Sequence, residues 1–253
     1  MKTSASRILV AIAVSLLLTL SCTTRNTPTG GPTVADMVQI DAGQVQIGDT
    51  TVAVDSFLIA RFETTQALYA QVMGTNPAHF NADAAGDGAT ESGPPENRPV
   101  ENISFLDAVR FANALSTLHG YEPAYELVEL MRREAANGYR LPTEAEWMRA
   151  AGPHEFSGSD KIEDVGWFRE NSGFMTQPVG RLQANSYGIY DMTGNVSEWT
   201  EDPYLSDGPH TDRVTKGGAF AFDAYHSRSV YRNFQSEVAA SPYVGVRLVR
   251  SLR

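Results

Sequence analysis

Between Met37 and Glu63 apolar and polar residues alternate, first in MVQIDAGQVQIG and again in TVAVDSFLIARFE, with Gly43 and the Gly48–Asp49 pair as turns. A period of two sends successive side chains to opposite faces, so the spacing predicts short antiparallel strands with one face buried. The period then changes. Gln66, Leu68, Tyr69 and Val72 recur at helical spacing behind Thr64 or Thr65 as N-cap, and Gly74 and Pro77 end the run. A second helix is predicted after Ser104, with Asp107 completing a capping box and Phe105, Ala108, Val109, Ala112, Leu115 and Leu118 as its apolar stripe up to Gly120. A third begins at Thr143, where Glu146 reaches back to the cap ahead of Trp147, Met148 and Ala151. Two residues apart on a helix, Glu144 and Glu146 share no face, so they are not read as an acid–base pair. Near the end, Val244, Val246, Leu248 and Val249 read as a closing strand.

The first 21 residues follow another pattern. Lys2 and Arg7 precede an apolar run, Ile8 to Leu20, short for a membrane span and suited to a signal-peptide core. Cys22, the only cysteine, follows Ser21, where cleavage and lipidation are expected, against a secreted soluble protein or an uncleaved anchor. Lipid on Cys22 implies attachment to the membrane through that anchor, with the domain exposed at the outer membrane. Residues 22–36 are polar and Pro/Gly-rich and read as a flexible tether.

Composition narrows the function classes. The 253 residues, 42% of them hydrophobic, suit one domain over residues 37–253. A net charge of −10 argues against a nucleic-acid partner. The histidines (His79, His119, His154, His210 and His226) lack zinc spacing, and no nucleophile elbow or phosphate loop is present. Asp83 and Asp87 in the acidic loop Asn81 to Arg98 lack the terminal glutamate of an EF-hand. The expected state is a monomer.

Three ordered stretches carry a resemblance: GYRLPTEAEWMRAA (Gly138 to Ala151), YGIYDMTGNVSEWT (Tyr187 to Thr200), and the flanks RVTKGGAF and YVGVRLVR of the last forty-odd residues. They resemble the formylglycine-generating enzyme, or sulfatase-modifying factor, family, which implies an α+β C-type lectin fold in a single domain. The resemblance also implies a copper-dependent oxidase with paired cysteines, but Phe222 and Ser227 stand at the matching positions. No thiol means no thiolate to hold cuprous copper, so the chain is expected not to be an enzyme and to have no catalytic cofactor. A structural calcium is implied at Asp191, Gly194, Val196 and Glu198, against simple hydrogen bonding of the two carboxylates to backbone N–H groups. Gly180 stands where a further ligand aspartate is expected, and Trp199 reads as core.

Within residues 219–243, Ala219, Ala221, Phe222, Asp223, Ala224, Tyr225, His226, Ser229, Tyr231, Asn233, Phe234, Ala239, Ala240, Ser241 and Tyr243 show no single periodicity. This resembles the variable proteins of diversity-generating retroelements, in which adenine-directed mutagenesis replaces chosen residues of a lectin-type C-terminal segment. None of the fifteen is Trp, Met, Lys, Glu or Gln, residues that adenine-directed change of AAC codons cannot give, so Gln235 and Glu237 are expected to be fixed. Gly217 and Gly218 are expected at a close backbone approach, and Arg228 and Arg232 as ion-pairing framework. Phe222 or Phe234 is expected to face inward, and Tyr225, His226, Tyr231 and Tyr243 outward. The function expected is a sequence-diversified, non-catalytic lipoprotein binding a protein or cell-surface ligand. The alternatives are an enzyme of the family with cysteine-free chemistry and a purely structural surface protein.

Overall fold

The computed structural model describes residues 37–81, 94–205 and 211–252. The signal segment, Cys22, the tether, Asp83, Asp87 and His210 lie outside the described residues. The alternating N-terminal stretch forms β1 (Met37–Ile40), β2 (Gly43–Ile47), β3 (Thr50–Val54) and β4 (Phe57–Ala60). β2 and β3 make a hairpin, whereas β1 pairs antiparallel with β4 from Met37↔Ala60 to Ile40↔Phe57. The other edge of β4 is taken by the last strand, β11 (Val249–Ser251), with Val249 opposite Ile59. The two ends of the domain therefore close one sheet, in the order β1-β4-β11.

The helices follow their caps. α1 (Gln66–Met73) starts at Thr65, whose side chain accepts from the Leu68 N–H. α2 (Phe105–Leu118) and α3 (Glu144–Ala151) both carry complete capping boxes, Ser104 with Asp107 and Thr143 with Glu146. Each box satisfies two backbone donors that the first helical turn leaves without partners. α4 (Ile162–Val165) is a single short turn. The stripe of α2 packs with Trp199, Leu141 and Val246, while Trp147 of α3 sits among Ile40, Phe57, Ile59 and Met192.

The second half builds a four-stranded sheet ordered β10-β7-β8-β9, from β7 (Ser197–Leu205), β8 (Asp212–Lys216), β9 (Asn233–Ser236) and β10 (Val244–Gly245). A two-residue pair, β5 (Tyr125–Glu126) with β6 (Met131–Arg132), lies apart from it. β7 and β8 lose register around Pro203, which has no N–H for the ladder. The expected single closing strand is two: β10 belongs to the four-stranded sheet and β11 to the three-stranded one. Between them the Ala60 N–H donates to the Leu248 carbonyl at 2.9 Å, and the Arg247 side chain turns into the core. A strand that changes sheets must break its ladder, and the apolar period hides that break because both halves remain buried.

Candidate functional site

The segment after β8 starts at a tight backbone contact. Gly218 has φ +76°, and a Cβ there would lie 2.4 Å from Ser227 Oγ, so a side chain fails on both counts. The chain then passes through a 3-10 turn, Tyr225–Ser227, into β9. Main-chain bonds from distant residues pin it: Ser172 Oγ donates to the Phe220 carbonyl at 2.7 Å, the Arg169 N–H to the Phe222 carbonyl at 2.9 Å, and the Ser229 N–H to the Glu155 carbonyl at 2.8 Å.

Beneath it lies a charged support. Lys216 is fully buried, its Nζ 2.8 Å from the Tyr231 carbonyl and 3.6 Å from Glu144, and burial pulls its pKa down to about 8. Arg232 Nε donates to the other Glu144 oxygen at 2.8 Å, the ion pair expected of it. Arg228 is different. Its guanidinium stacks 3.9 Å from the centre of the Tyr225 ring and donates to the Tyr225 carbonyl, and it has no acidic partner among the described residues.

On this support the aromatic rings form a connected row. Phe80 meets Phe220 edge-on, Phe220 and Phe222 both lie against Tyr243 (5.4 and 5.7 Å between centroids), and Phe222 leads to His226. His226 packs against Tyr231 at 4.8 Å and Tyr225 at 5.3 Å. Tyr225 and Tyr243 are exposed as expected, His226 and Tyr231 only in part. Phe222 is half-buried, but Phe234 is 54% exposed and stacks on Tyr204, which corrects its inward assignment. On β9 it stands opposite the buried Val214 of β8, but its ring lies out over Tyr204. Ala219 and Ser229 are buried, so neither offers contact area on this face. Ala240 is exposed, and Ala221, Asp223, Ala224, Asn233, Ala239 and Ser241 are intermediate.

A shallow pocket of about 290 Å³ opens among Arg169, Ala221, Phe222, Asp223, His226 and Asn233. Asp223 Oδ1 is 2.5 Å from His226 Nδ1, and its Oδ2 is 3.0 Å from Arg169. Those bonds, His226 first, hold the Asp223 carboxyl below its ordinary range. Arg169, Phe80 and Tyr204 come to this face from far along the chain, and no local pattern in the sequence marks them. Phe222 and Ser227, the expected cysteine positions, supply no soft ligand for copper: the Ser227 hydroxyl donates to the Asp223 carbonyl at 3.0 Å.

Of the residues expected to hold calcium, Glu198 is bonded to Arg247 and Asp191 lies near it, whereas the Gly194 N–H donates to the Gly217 carbonyl and the Val196 N–H to Glu63. Glu198 receives Arg247 Nη2 at 2.7 Å and Nε at 2.9 and 3.1 Å, and Trp147 Nε1 at 2.7 Å. Asp191, with φ +59°, accepts the Gly180 N–H at 2.6 Å. Burial, with Glu198 adding to it, lifts the Asp191 pKa to about 6 against the pull of Gly180 and Arg247. Glu63 joins the cluster, accepting from Asn195 at 2.7 Å and from the Val196 N–H at 3.2 Å; burial first, then Asp191 and Glu198, raise it well above the carboxylate range. The set does not fit a calcium ion while Arg247 occupies Glu198, and no group of three or more His, Cys, Asp or Glu among the described residues is arranged to hold a metal. Glu63 went unnoticed in the sequence because it lies more than a hundred residues from its partners.

The described architecture is a single α+β domain of the formylglycine-generating enzyme fold type. Its coordinates superpose on Treponema denticola variable protein 1 with a TM-score of 0.75 and 29% identity, covering 86% of this chain and 97% of that one. Residues 24–252 match the sulfatase-modifying factor enzyme 1-like domain, and the chain belongs to that family. It is 30% identical to the protein named chaperone protein LppX of Paenibacillus barcinonensis, over 88% of this chain and 92% of that one. It is also 30% identical to the formylglycine-generating enzyme of Thermomonospora curvata, spanning about half of each: 49% of this chain and 45% of the enzyme.

Further formylglycine-generating enzymes, from Mycobacterium tuberculosis, mouse, Streptomyces coelicolor and cattle, match as well. These matches correct the expectation that the chain is no enzyme: it belongs to an enzyme family. The expectation ran from missing cysteines to missing activity, whereas a missing thiol removes one chemistry rather than catalysis as such.

Proposed function

We propose that the chain recognises a polypeptide or cell-surface ligand through the aromatic face of its C-terminal segment. The carrying observation is the row from Phe220 through Tyr243, Phe222 and His226 to Tyr225 and Tyr231, framed at its base and in contact with water at its rim. Rings already held by neighbours lose little freedom on binding, and tyrosine offers large contact area with a polar tip. Asp223, Asn233 and Arg169 around the small pocket add directed polar contacts. Likeness to a variable protein and to a protein named as a chaperone supports polypeptide recognition. A further part of this reading is that the segment is diversified by adenine-directed mutagenesis. A reverse transcriptase gene nearby, with a near-copy of codons 219–243 differing at adenines, is the result that supports it.

The matches to formylglycine-generating enzymes favour a second reading, in which the ligand held here is also converted. One experiment serves both. A random peptide library is panned on the full chain, and the selected peptides are titrated against it and against a variant with Tyr225, Tyr231 and Tyr243 all changed to Ala. Loss of about 2 kcal/mol or more in binding by a folded variant supports the face; unchanged affinity overturns it. Mass spectrometry of each bound peptide after incubation then separates turnover from binding alone.

The same reading includes a lipid on Cys22 that holds the domain at an outer membrane. Replacing Cys22 with Ala is expected to abolish partitioning into detergent, and unchanged partitioning would overturn it.

A further inference from the structure

A second groove, of about 400 Å³, lies where β2, the end of α3 and the loop around Ser229 meet, with Arg149, His154, Tyr187 and Ser229 in its lining. The chain carries 30 acidic against 20 basic residues, yet no carboxylate lines this groove. Its charge is therefore of the opposite sign to the rest of the molecule, and a concave wall of one sign concentrates counter-ions.

Arg149 is poorly matched to its own chain. Its Nη1 donates to the Tyr187 hydroxyl and its guanidinium lies 5.7 Å from the centre of that ring, but it has no ion pair among the described residues. Nε is buried without a partner, pressed against β2 where a Cβ on Gly43 would come within 2.6 Å of it. A guanidinium carries five N–H donors, and a buried one left without a partner, as Nε is here, is costly. The last turn of a helix suits a cation, but that position uses none of these donors.

A second, independent observation points the same way. Ser229 is 4% exposed, and its Oγ has no hydrogen-bond partner although it lines the groove. The Tyr187 hydroxyl, accepting from Arg149, still has its own proton to give. Three donors on one concave surface, with Val45, Met148 and Val230 as apolar wall, are complementary to an anion on a hydrocarbon stem.

We propose that this groove is a binding site for a carboxylate borne on a short apolar group. The Arg149 guanidinium supplies the charge, and the Tyr187 and Ser229 hydroxyls donate to the carboxylate oxygens. The stem lies on Val45, Met148 and Val230. Two sources carry this chemistry, a free short-chain acid and the C-terminus of an apolar peptide. The site does not rest on the role proposed for the aromatic face, and its failure leaves that role untouched.

The test uses the full chain in detergent and saturation-transfer NMR. The probes are hexanoate, hexanamide, and an acetylated Val-Leu-Leu peptide with a free or an amidated C-terminus. The acid of one pair or both is expected to bind at least tenfold more tightly than its amide, which also controls for partitioning into the micelle. Tighter binding by hexanoate identifies a free acid, and tighter binding by the peptide a chain terminus. Arg149→Leu is expected to remove the preference for the acid, whereas Arg133→Leu, an exposed arginine outside both the groove and the aromatic face, keeps it. Should Arg149→Leu melt early, Ser229→Ala and Arg149→Lys replace it, with three- to tenfold weaker acid binding expected of each. Equal binding of acid and amide in both pairs, or an acid preference unchanged in folded Arg149 and Ser229 variants, would overturn the proposal.

Discussion

Arg247 and Arg169 each meet a carboxylate, at 2.7 Å and 3.0 Å, and the two pairs do opposite work. Arg247 and Glu198 are essentially without solvent, and the same guanidinium also donates to the Ala60 and Tyr190 carbonyls. Arg169 and Asp223 are 44% and 36% exposed at the rim of the C-terminal pocket. A buried pair is held by geometry, because each partner alone would be an unmatched charge in a dry place; an exposed pair is replaceable by water. The framework of this fold is thus intolerant of substitution and the face above it is tolerant, although both are rich in charge.

The largest effect should come from breaking the buried side. Arg247→Met strands Glu198, Asp191 and Glu63 together and is expected to cost about 3–5 kcal/mol, enough to prevent folding of a marginal domain. Urea unfolding measures it, and a loss under about 1 kcal/mol would erase the distinction between the two regions.

Titration offers a sharper handle. Asp191 holds its proton up to about pH 6 in the folded state, above its ordinary value of 3.8, so the folded chain binds more protons than the unfolded one between these values. Stability should therefore fall as pH rises through that window and stay lower above it. Asp191→Asn is expected to reduce this slope, with Glu63 keeping its own share, and to change stability at neutral pH by roughly 2–3 kcal/mol in favour of folding. A variant that keeps the full slope between pH 4 and 6 would move the proton uptake to another group.

Smaller effects belong to the caps and the rim. Thr143→Ala removes one half of the α3 capping box, with an expected loss of about 1 kcal/mol in thermal or urea unfolding. Arg169→Ala should cost less than about 0.5 kcal/mol of stability while weakening any ligand seated over Asp223. A destabilisation as large as that of Arg247→Met would make the rim part of the framework.

What could be read from the chain alone divides along the same line. Helix starts were legible because capping is local: Ser104 with Asp107 and Thr143 with Glu146 sit three residues apart and form as the spacing predicts. The strands from Met37 to Ala60 were legible by period. Arg247 was not. It stands in an apolar run whose pattern says strand, and its partners come from β4, β7 and the Tyr190 loop. On the face, Tyr225 and Tyr243 could be judged outward, but Phe234 could not, because its ring is placed by stacking on Tyr204, far back along the chain. Arg149 gave no sign either; an arginine late in a helix is ordinary until its neighbours prove to carry no carboxylate.

The sheet that joins both ends of the domain also sets how force would pass through it. Tension arriving from residues before Met37 enters along β1, which is registered against β4 at four positions from Met37↔Ala60 to Ile40↔Phe57. Pulled along its axis, a ladder of this kind is sheared, with its bonds sharing the strain, whereas pulled sideways it opens one rung at a time. From β4 the path continues across to β11 and, through Arg247 on the Ala60 carbonyl, to Glu198 in β7 and so to the sheet that carries the C-terminal face. A domain gripped at that face and held from its N-terminal side would be strained along this path, with the buried arginine as the rivet between the two sheets.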